Sequence, residues 1–317
     1  MVISHKRPRG GFTLIEILVV LALIATLLAL TAGAFFRVRA GQIKAASEAT
    51  LQKLNTALDN RMKTIQESVN EDARKNQGQW PFALAAANGD PDVAKSLLMY
   101  AKVKNELPMT FAEAKAPTIV ITSTGTITLP ARANFSVLPN STANSPEESG
   151  ACFYIAVLTS GGGGAMTDQD GLQQQSSDFT GASWNISARV FKDAWGTPIA
   201  FVRHAYTAEL NASPFLRGGN RGRDSFDPAS KFNVTTLPPA TWTQIRGTPP
   251  AFINVNVPPA YNYNTPADFT RAPNHVSTLI SAGPDKLFTT GTYDAFAGTN
   301  NDNLLSYRLR REGAKGD

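Results

Sequence analysis

The sequence predicts an α+β fold in which a long N-terminal helix, membrane-spanning in its first half, packs on a small antiparallel sheet domain with an irregular insertion. Three observations support this. Residues 12–36 contain a single ionisable side chain, Glu16, and are long enough to cross a bilayer as a helix. A helical pattern then continues without proline to about Asn76. Short segments rich in β-branched residues follow, separated by glycine and proline.

Two ordinary explanations of the apolar segment leave Glu16 unexplained. A secretory signal would have a shorter apolar core, followed by a cleavage site, but the apolar run over residues 12–36 is too long for such a core. A simple membrane anchor fits the length. However, a carboxylate in hydrocarbon is unfavourable by about 2.5–3.5 kcal/mol at the bilayer centre, and by less near its edge. Glu16 is therefore a candidate functional residue.

The segment around Glu16 carries a specific resemblance. Arg9-Gly-Gly-Phe-Thr-Leu-Ile-Glu-Ile-Leu-Val-Val20 resembles the class III signal of type IV pilins and type II secretion pseudopilins. The resemblance implies a pilin-like fold, cleavage by prepilin peptidase between Gly11 and Phe12, and N-methylation of Phe12. It also implies that Glu16 pairs with the Phe12 ammonium of a neighbouring subunit in a helical filament. A buried carboxylate without that partner is strongly penalised, so the pair can set the subunit register.

With this signal the chain divides into four parts and an insertion. The basic leader is expected on the cytoplasmic side, because positive charge favours that side of the membrane. The parts are a leader peptide (1–11), a transmembrane and filament-core helix (12–36), its amphipathic continuation (37–76), and an extracytoplasmic α+β domain (77–317) with a Pro/Asn-rich insertion at about 205–272.

The amphipathic continuation has one apolar stripe at helical spacing. Its members are Leu51, Leu54, Leu58, Met62, Ile65 and Val69. We expect this stripe to pack on the C-terminal domain. Gly33 lies in the apolar part, where glycine is about 1 kcal/mol less favourable than alanine. We hypothesise that the helix bends or melts there on assembly.

Local signals predict short helices after the long one. Gly78 and Pro81 should break the helix between Asn76 and Gly89. Asp90 is a favourable N-cap for a helix over Pro91–Tyr100, since proline is accepted at the first helical position. Another helical turn should begin after Thr110, because an acidic residue follows three positions later.

The next segments are read from composition. Residues 118–129 are β-branched around a glycine and predict a hairpin, whereas Ser141–Gly150 resembles a loop. Ala151–Leu158 is apolar and should be buried together with Cys152, the single cysteine. One cysteine excludes an intramolecular disulfide. Many type IV pilins close a C-terminal loop with a disulfide, so this difference favours a pseudopilin.

The stretch Asp193-Ala-Trp-Gly-Thr-Pro198 predicts a turn, followed by a strand over Ile199–Arg203. It resembles the Asp-x-Trp-Gly-x-Pro turn in the small sheet of the major type II pseudopilin. We expect Trp195 to be a core residue beneath this turn and not part of a ligand platform.

Residues 276–309 resemble the closing segment of the major pseudopilin, namely a strand, an acidic loop and a last strand. In that family the loop binds calcium, which takes 6–8 oxygen ligands. The resemblance therefore implies a calcium site, although the alternative is that these side chains only form turns. The candidate ligands are Asp285, Asp294, Asp302, Asn301 and Asn303.

Other functional classes lack support in the sequence. The three histidines are dispersed, and neither a metalloprotease nor a hydrolase motif occurs, so we predict no enzyme. The formal net charge is +5, yet no basic cluster with interleaved aromatics indicates nucleic-acid binding. The glycines at 161–164 have no following lysine and predict a flexible turn instead of a phosphate-binding loop.

The predicted function is a pseudopilin of a type II secretion filament. The subunit would be a single-pass protein of the bacterial inner membrane, with a cytoplasmic N-terminus before processing and a periplasmic C-terminal domain. Its expected partners are prepilin peptidase, sister pseudopilins and an inner-membrane assembly platform. The filament would support protein export across the outer membrane. One alternative is a minor type IV pilin for adhesion, motility or DNA uptake. Another is a membrane-anchored extracytoplasmic binding protein, which should tolerate Glu16→Ala.

Overall fold

The computed structural model describes most of the chain and divides it into two compact units, Met1–Ala45 and Ala46–Asp317. The described residues are 14–141, 145–158, 169–205, 226, 231, 241, 244–245, 276–288, 303–306 and 308–309. The architecture is an α+β mixture of one long helix, shorter helices and small antiparallel sheets. This is consistent with a pilin-like fold and confirms the predicted fold class.

Helix α1 spans Leu14–Lys75, a length of 62 residues, and so confirms the predicted long helix. It ends in two hydrogen bonds that satisfy its last carbonyl groups. Gln77 N–H donates to Asp72 O at 3.1 Å and Asn76 N–H donates to Ala73 O at 3.4 Å. Asn76 has a φ of 50°, the left-handed conformation that closes a helix in this way.

The predicted apolar stripe of α1 lies in the core of the C-terminal unit. Leu51, Leu54 and Leu58 have no exposed surface, and the following stripe residues Ile65 and Val69 are 1% exposed. The sixth member, Met62, is partly buried against the same core. The stripe prediction is therefore confirmed.

Two ion-pair clusters join α1 to helix α3 (Pro91–Glu106). Lys102 Nζ donates to Ser68 Oγ and to Asp72 Oδ2, both at 2.6 Å. Arg61, which is 8% exposed, donates to Glu106. These contacts fix the register of the two helices, because each joins side chains at least 30 positions apart.

The segment predicted as a break between Asn76 and Gly89 contains helix α2, which spans Trp80–Ala86. The predicted break is confirmed, since α1 ends at Lys75. The new helix has Pro81 in its first turn, where the missing N–H of proline needs no partner. The prediction for α3 is confirmed at its start, because Asp90 accepts hydrogen bonds from two backbone N–H groups. The helix extends beyond the predicted end at Tyr100.

Helix α4, Phe111–Lys115, begins at the predicted cap. Thr110 Oγ1 accepts from Glu113 N–H at 3.1 Å. In return, Glu113 Oε2 accepts from Met109 N–H at 2.8 Å. This reciprocal arrangement is a variant of the capping box.

The predicted hairpin is formed by β1 (Thr118–Ile121) and β2 (Thr126–Leu129). They pair antiparallel, with Val120 opposite Ile127. Gly125 at the turn approaches α2 closely, since a Cβ there would lie 2.8 Å from the backbone N of Ala86. Any larger residue at this position would push the hairpin away from α2.

Helix α5 spans Pro146–Leu158 and follows a 3-10 turn at Ala133–Val137. The predicted loop over Ser141–Gly150 is therefore wrong from Pro146 onward. The sequence Ser145-Pro-Glu-Glu148 has the spacing of a capping box with proline at the first helical position, and this signal identifies the helix start. Cys152 has no exposed surface, as predicted.

The remaining elements form two small antiparallel sheets. A short helix, α6 (Gln169–Gln174), precedes the first. In the larger, three-stranded sheet the central strand pairs with both of its neighbours. The strand of this sheet that comes first in the chain confirms the strand predicted after Pro198. The strands are β3 (Ser176–Phe179) with β4 (Ala188–Phe191), and β5 (Ala200–Ala205), β6 (Val276–Ser281) and β7 (Leu304–Leu305).

Four described residues of the predicted insertion contact the core of the C-terminal unit. Phe226 is 5% exposed and Ile245 has no exposed surface. Thr241 Oγ1 donates to the backbone carbonyl of Ile121, and the N–H of Ile121 donates to Gln244 Oε1 at 2.6 Å. Side chains of the insertion thus bind the outer edge of β1, which a purely surface insertion would not do. The rest of residues 206–272, apart from Lys231, lies outside the described residues.

Candidate functional site

The candidate site is the apolar part of α1 within the unit Met1–Ala45. From Leu14 to Phe36 all side chains are exposed, although only Glu16 is ionisable. Among the described residues, α1 is the one helix long and apolar enough to cross a membrane. Burying such a surface requires lipid or another protein, because large exposed apolar surfaces are unfavourable in water.

The polar groups inside this apolar segment are satisfied locally. Thr26 Oγ1 donates to the carbonyl of Leu23 at 2.8 Å. Thr31 Oγ1 donates to the carbonyls of Leu27 and Leu28 at 2.9 and 3.0 Å. Because each hydroxyl has an acceptor on its own helix, both are compatible with a hydrocarbon environment.

Glu16 lies in the first turn of α1. A carboxylate there interacts favourably with the positive end of the helix dipole. The predicted processing residues Gly11 and Phe12 lie outside the described residues, so the Glu16–Phe12 pair between subunits remains a prediction. The described helix thus presents the predicted assembly carboxylate at its N-terminal end.

The turn Asp193–Pro198 is organised by a buried carboxylate. Asp193 is 5% exposed, and its Oδ1 accepts from Trp195 N–H at 3.0 Å and Thr197 N–H at 2.9 Å. Its Oδ2 accepts from Ser281 Oγ at 2.6 Å. Burial raises the pKa of the Asp193 carboxyl above its ordinary 3.8, against the opposing effect of these hydrogen bonds. Asp193 therefore joins the turn to strand β6.

The same turn is bound to α1. Ala194 N–H donates to Ser47 Oγ at 3.0 Å, and Ser47 has no exposed surface. Trp195 is only half-buried, so the prediction that it is a core residue beneath the turn is wrong. The buried tryptophan of this region is Trp184, which contacts Phe111 at a centroid distance of 4.9 Å.

A second buried polar cluster surrounds Glu113. Arg203 is fully buried and donates to both carboxylate oxygens of Glu113, at 3.0 and 2.9 Å. It also donates to Leu107 O at 3.0 Å. Lys104 Nζ lies 3.9 Å from Glu113 Oε1. Burial lowers the pKa of the Lys104 ammonium group. This paired arrangement is a structural ion cluster that connects β5 to α4.

The geometry of the described residues bears on metal binding and on cysteine reactivity. Within them, no group of three His, Cys, Asp or Glu side chains could hold a metal. Burial raises the pKa of the Cys152 thiol well above its ordinary value, so this cysteine stays neutral and is a poor nucleophile. An open pocket of about 480 Å³ lies beside α4 and is lined by Phe111, Ala112, Lys115, Pro139, Asn140, Ser141 and Ser183.

The polar groups of that pocket bind one another. Lys115 Nζ donates to Asn140 Oδ1 at 2.6 Å. Ser141 Oγ donates to Glu148 Oε1 at 2.6 Å, and Glu148 Oε2 accepts from Phe111 N–H at 3.2 Å. Since these groups already have partners, the pocket indicates no particular ligand.

Two of the five calcium candidates are described. Asp285 Oδ1 accepts from Leu287 N–H at 2.9 Å, a turn contact. Asn303 Nδ2 donates to Phe288 O at 3.1 Å, and the residue is 5% exposed. The other three, Asp294, Asn301 and Asp302, lie outside the described residues. The calcium site therefore stays a prediction.

Comparison with known families identifies the N-terminal signal. The prokaryotic N-terminal methylation motif matches residues 6–32. The chain matches no curated protein and no solved structure. The N-terminal signal is therefore of the kind that type IV pilin-like proteins carry, and this motif implies processing by prepilin peptidase and filament assembly with pilins. The apolar helix and this signal together fit anchoring in the inner membrane.

Proposed function

We propose that the chain is a pseudopilin, a non-enzymatic structural subunit of a type II secretion filament. The observation that carries the proposal is the N-terminal methylation motif over residues 6–32, which includes Glu16 and the first part of the exposed apolar helix. A signal used only for export would need no acidic residue in the helix that follows.

Two features of the C-terminal unit favour a pseudopilin over a type IV pilin. The single cysteine, Cys152, is buried and free, so no disulfide closes a C-terminal loop. The Asp193 turn, which resembles that of the major pseudopilin, is bonded both to α1 through Ser47 and to β6 through Ser281. This turn connects the helix that would form the filament core to the sheet that would form the filament surface.

In this proposal the subunit waits in the inner membrane as a single-pass protein with a periplasmic C-terminal domain. Prepilin peptidase removes the leader after Gly11, and the new N-terminus at Phe12 neutralises Glu16 of the neighbouring subunit during assembly. The inner-membrane assembly platform drives this step, and the growing filament supports export across the outer membrane.

The test combines leader cleavage, crosslinking and secretion in cells that contain prepilin peptidase. Gly11→Ala should block cleavage. Glu16→Ala should be cleaved but should neither crosslink to sister pilins nor support secretion. Glu67→Ala is the matched control, since Glu67 is 66% exposed on the amphipathic part of the same helix; it should behave as wild type.

Other outcomes identify the alternatives. If Glu16→Ala crosslinks and secretes as wild type, the proposal fails and a membrane-anchored binding protein is the better account. If Glu16→Ala reduces the number of surface pili while secretion is unchanged, the chain is a minor type IV pilin for adhesion, motility or DNA uptake.

A further inference from the structure

Four residues of α1 form what we name the collar: Phe35, Phe36, Arg37 and Arg39. All four are exposed, and the two aromatic rings meet edge to face with centroids 6.1 Å apart. They follow directly on the apolar segment. Arginine side chains near the end of a membrane-spanning helix extend to the headgroups, whereas the phenylalanine rings beside them stay in the hydrocarbon.

We propose that the collar binds anionic phospholipids of the outer leaflet, with its two arginines on the phosphates and its two phenylalanines against the acyl chains, and thereby sets the depth of the helix in the inner membrane. This inference rests on the proposed function, because it concerns the membrane-stored subunit. It adds a lipid partner and four binding residues to that function.

The charge pattern supports a lipid partner. No acidic residue lies within four positions of Arg37 or Arg39, so neither can form an i,i+4 ion pair on its own helix. Successive residues of a helix are about 100° apart, which places the two arginines on opposite sides. One acidic face of a protein could not contact both, whereas a ring of headgroups surrounds the helix.

The length of the helix supports the depth assignment. Arg37 and Glu16 are 21 positions apart in sequence, which corresponds to about 32 Å along a helix. The hydrocarbon core of a bilayer is about 30 Å thick. When the Arg37 guanidinium is at the outer headgroups, Glu16 is therefore at the inner boundary, where a carboxylate is far less unfavourable than at the centre.

The collar thus has a consequence for assembly. With Glu16 held at the inner boundary, its carboxylate stays hydrated while the subunit is stored. Moving the helix outward into a filament would take the arginines away from the headgroups and bring Glu16 into apolar surroundings. The Phe12 ammonium of a neighbour would then be needed at that stage.

The experiment measures the depth of the helix in bilayers. Processed full-length protein is reconstituted in liposomes of phosphatidylcholine, with or without phosphatidylglycerol, and single cysteines at Ala34 and Ala40 are labelled with a membrane-impermeant maleimide. The natural Cys152 does not interfere, because it is fully buried. In wild type we expect protection at position 34 and labelling at position 40, with the contrast increased by phosphatidylglycerol.

The variant R37Q/R39Q lacks both guanidinium groups and should sink by about one helical turn of 5.4 Å. Labelling at position 40 should slow several-fold, and the dependence on phosphatidylglycerol should disappear. The control K63Q/R74Q removes the same charge from exposed positions of the amphipathic part and should leave both rates unchanged.

The proposal is overturned if R37Q/R39Q keeps the wild-type rates and the phosphatidylglycerol dependence. Because the liposomes contain isolated subunits, this result is independent of the secretion assay with Glu16→Ala. The collar and the filament proposal can therefore fail separately.

Discussion

The two parts of α1 differ in where their apolar side chains go. In the unit Met1–Ala45, Leu27 and Leu28 are each 62% exposed, whereas Leu54 and Leu58 in the unit Ala46–Asp317 have no exposed surface. Both parts are helical, so local propensity does not distinguish them. The first part is apolar all round and needs a surrounding of lipid or other subunits, whereas the second has one apolar stripe that its own chain covers.

Two carboxylates illustrate the same difference. Glu113 is paired within the chain, because Arg203 donates to both of its oxygens. Glu16 lies in an apolar segment, and its proposed partner is the N-terminus of a second subunit. The described residues of the C-terminal unit thus cover their apolar stripe and pair Glu113 within the chain, whereas the apolar part of α1 is exposed over residues 14–36.

Removing the charge of Glu113 should have the largest effect on the C-terminal unit. In Glu113→Gln the buried Arg203 loses its anionic partner, so we expect a loss of about 3–5 kcal/mol in unfolding free energy. Urea denaturation of the protein in detergent measures it. Glu67→Gln, at an exposed position, should change it by less than about 0.5 kcal/mol. If Glu113→Gln and Glu67→Gln have the same unfolding free energy, the Glu113–Arg203 ion pair does not stabilise the C-terminal unit.

Truncation of one leucine in each part tests the comparison directly. Leu58→Ala leaves a cavity in the core and should lower the unfolding free energy by about 2–5 kcal/mol. Leu27→Ala should leave the same denaturation curve unchanged, because that side chain does not contribute to the core of the C-terminal unit. If Leu27→Ala is equally destabilising, the two parts are not distinct in the way described.

Calcium removal tests the proposed metal site of the C-terminal unit. If the site exists, calcium at about 100 times its dissociation constant stabilises the fold by about 2.7 kcal/mol. A chelator should then lower the melting temperature, and D285N/D302N should abolish the difference, since asparagine keeps the turn contact of Asp285 without its charge. An identical melting temperature with calcium and with chelator would leave these residues as turn formers.

The smallest effect expected is the pH dependence contributed by Asp193. Because burial raises the pKa of this carboxyl in the folded protein, the folded state holds the proton more tightly than the unfolded chain. Its contribution to stability is therefore fully present below the ordinary pKa of 3.8 and declines as the pH rises through the folded pKa. Wild type should therefore lose stability relative to Asp193→Asn as the pH is raised from acidic to neutral, because asparagine does not titrate. A difference that is constant with pH would contradict the assignment.

Local signals in the sequence predicted much of the helical structure. The end of α1 near Asn76, the cap at Asp90 and the cap at Thr110 are all confirmed, because each depends on residues within four positions. The capping-box spacing of Ser145 and Glu148 was present in the same form but was missed, since the surrounding composition resembled a loop.

Contacts between distant residues were not predictable in this way. Arg203 and Glu113 are 90 positions apart in the sequence, and Ser47 and Ala194 are 147 positions apart. No rule of sequence spacing connects residues so distant. The half-buried Trp195 shows the same limit, because a short motif fixes the turn but not what covers its side chains. Of the candidate assembly site, the position of Glu16 in the first turn of a long apolar helix was predictable, since it depends on composition alone.

The most direct test of the account is photo-crosslinking from the apolar helix in cells. A photoreactive residue at Val20, which is 51% exposed, is combined with wild-type Glu16, with Glu16→Gln, or with the exposed control Glu67→Gln. The account predicts a ladder of crosslinked subunits for wild type and the control, and its loss for Glu16→Gln despite normal leader cleavage. An undiminished ladder for Glu16→Gln would contradict the claim that this helix is completed by a neighbouring subunit through Glu16.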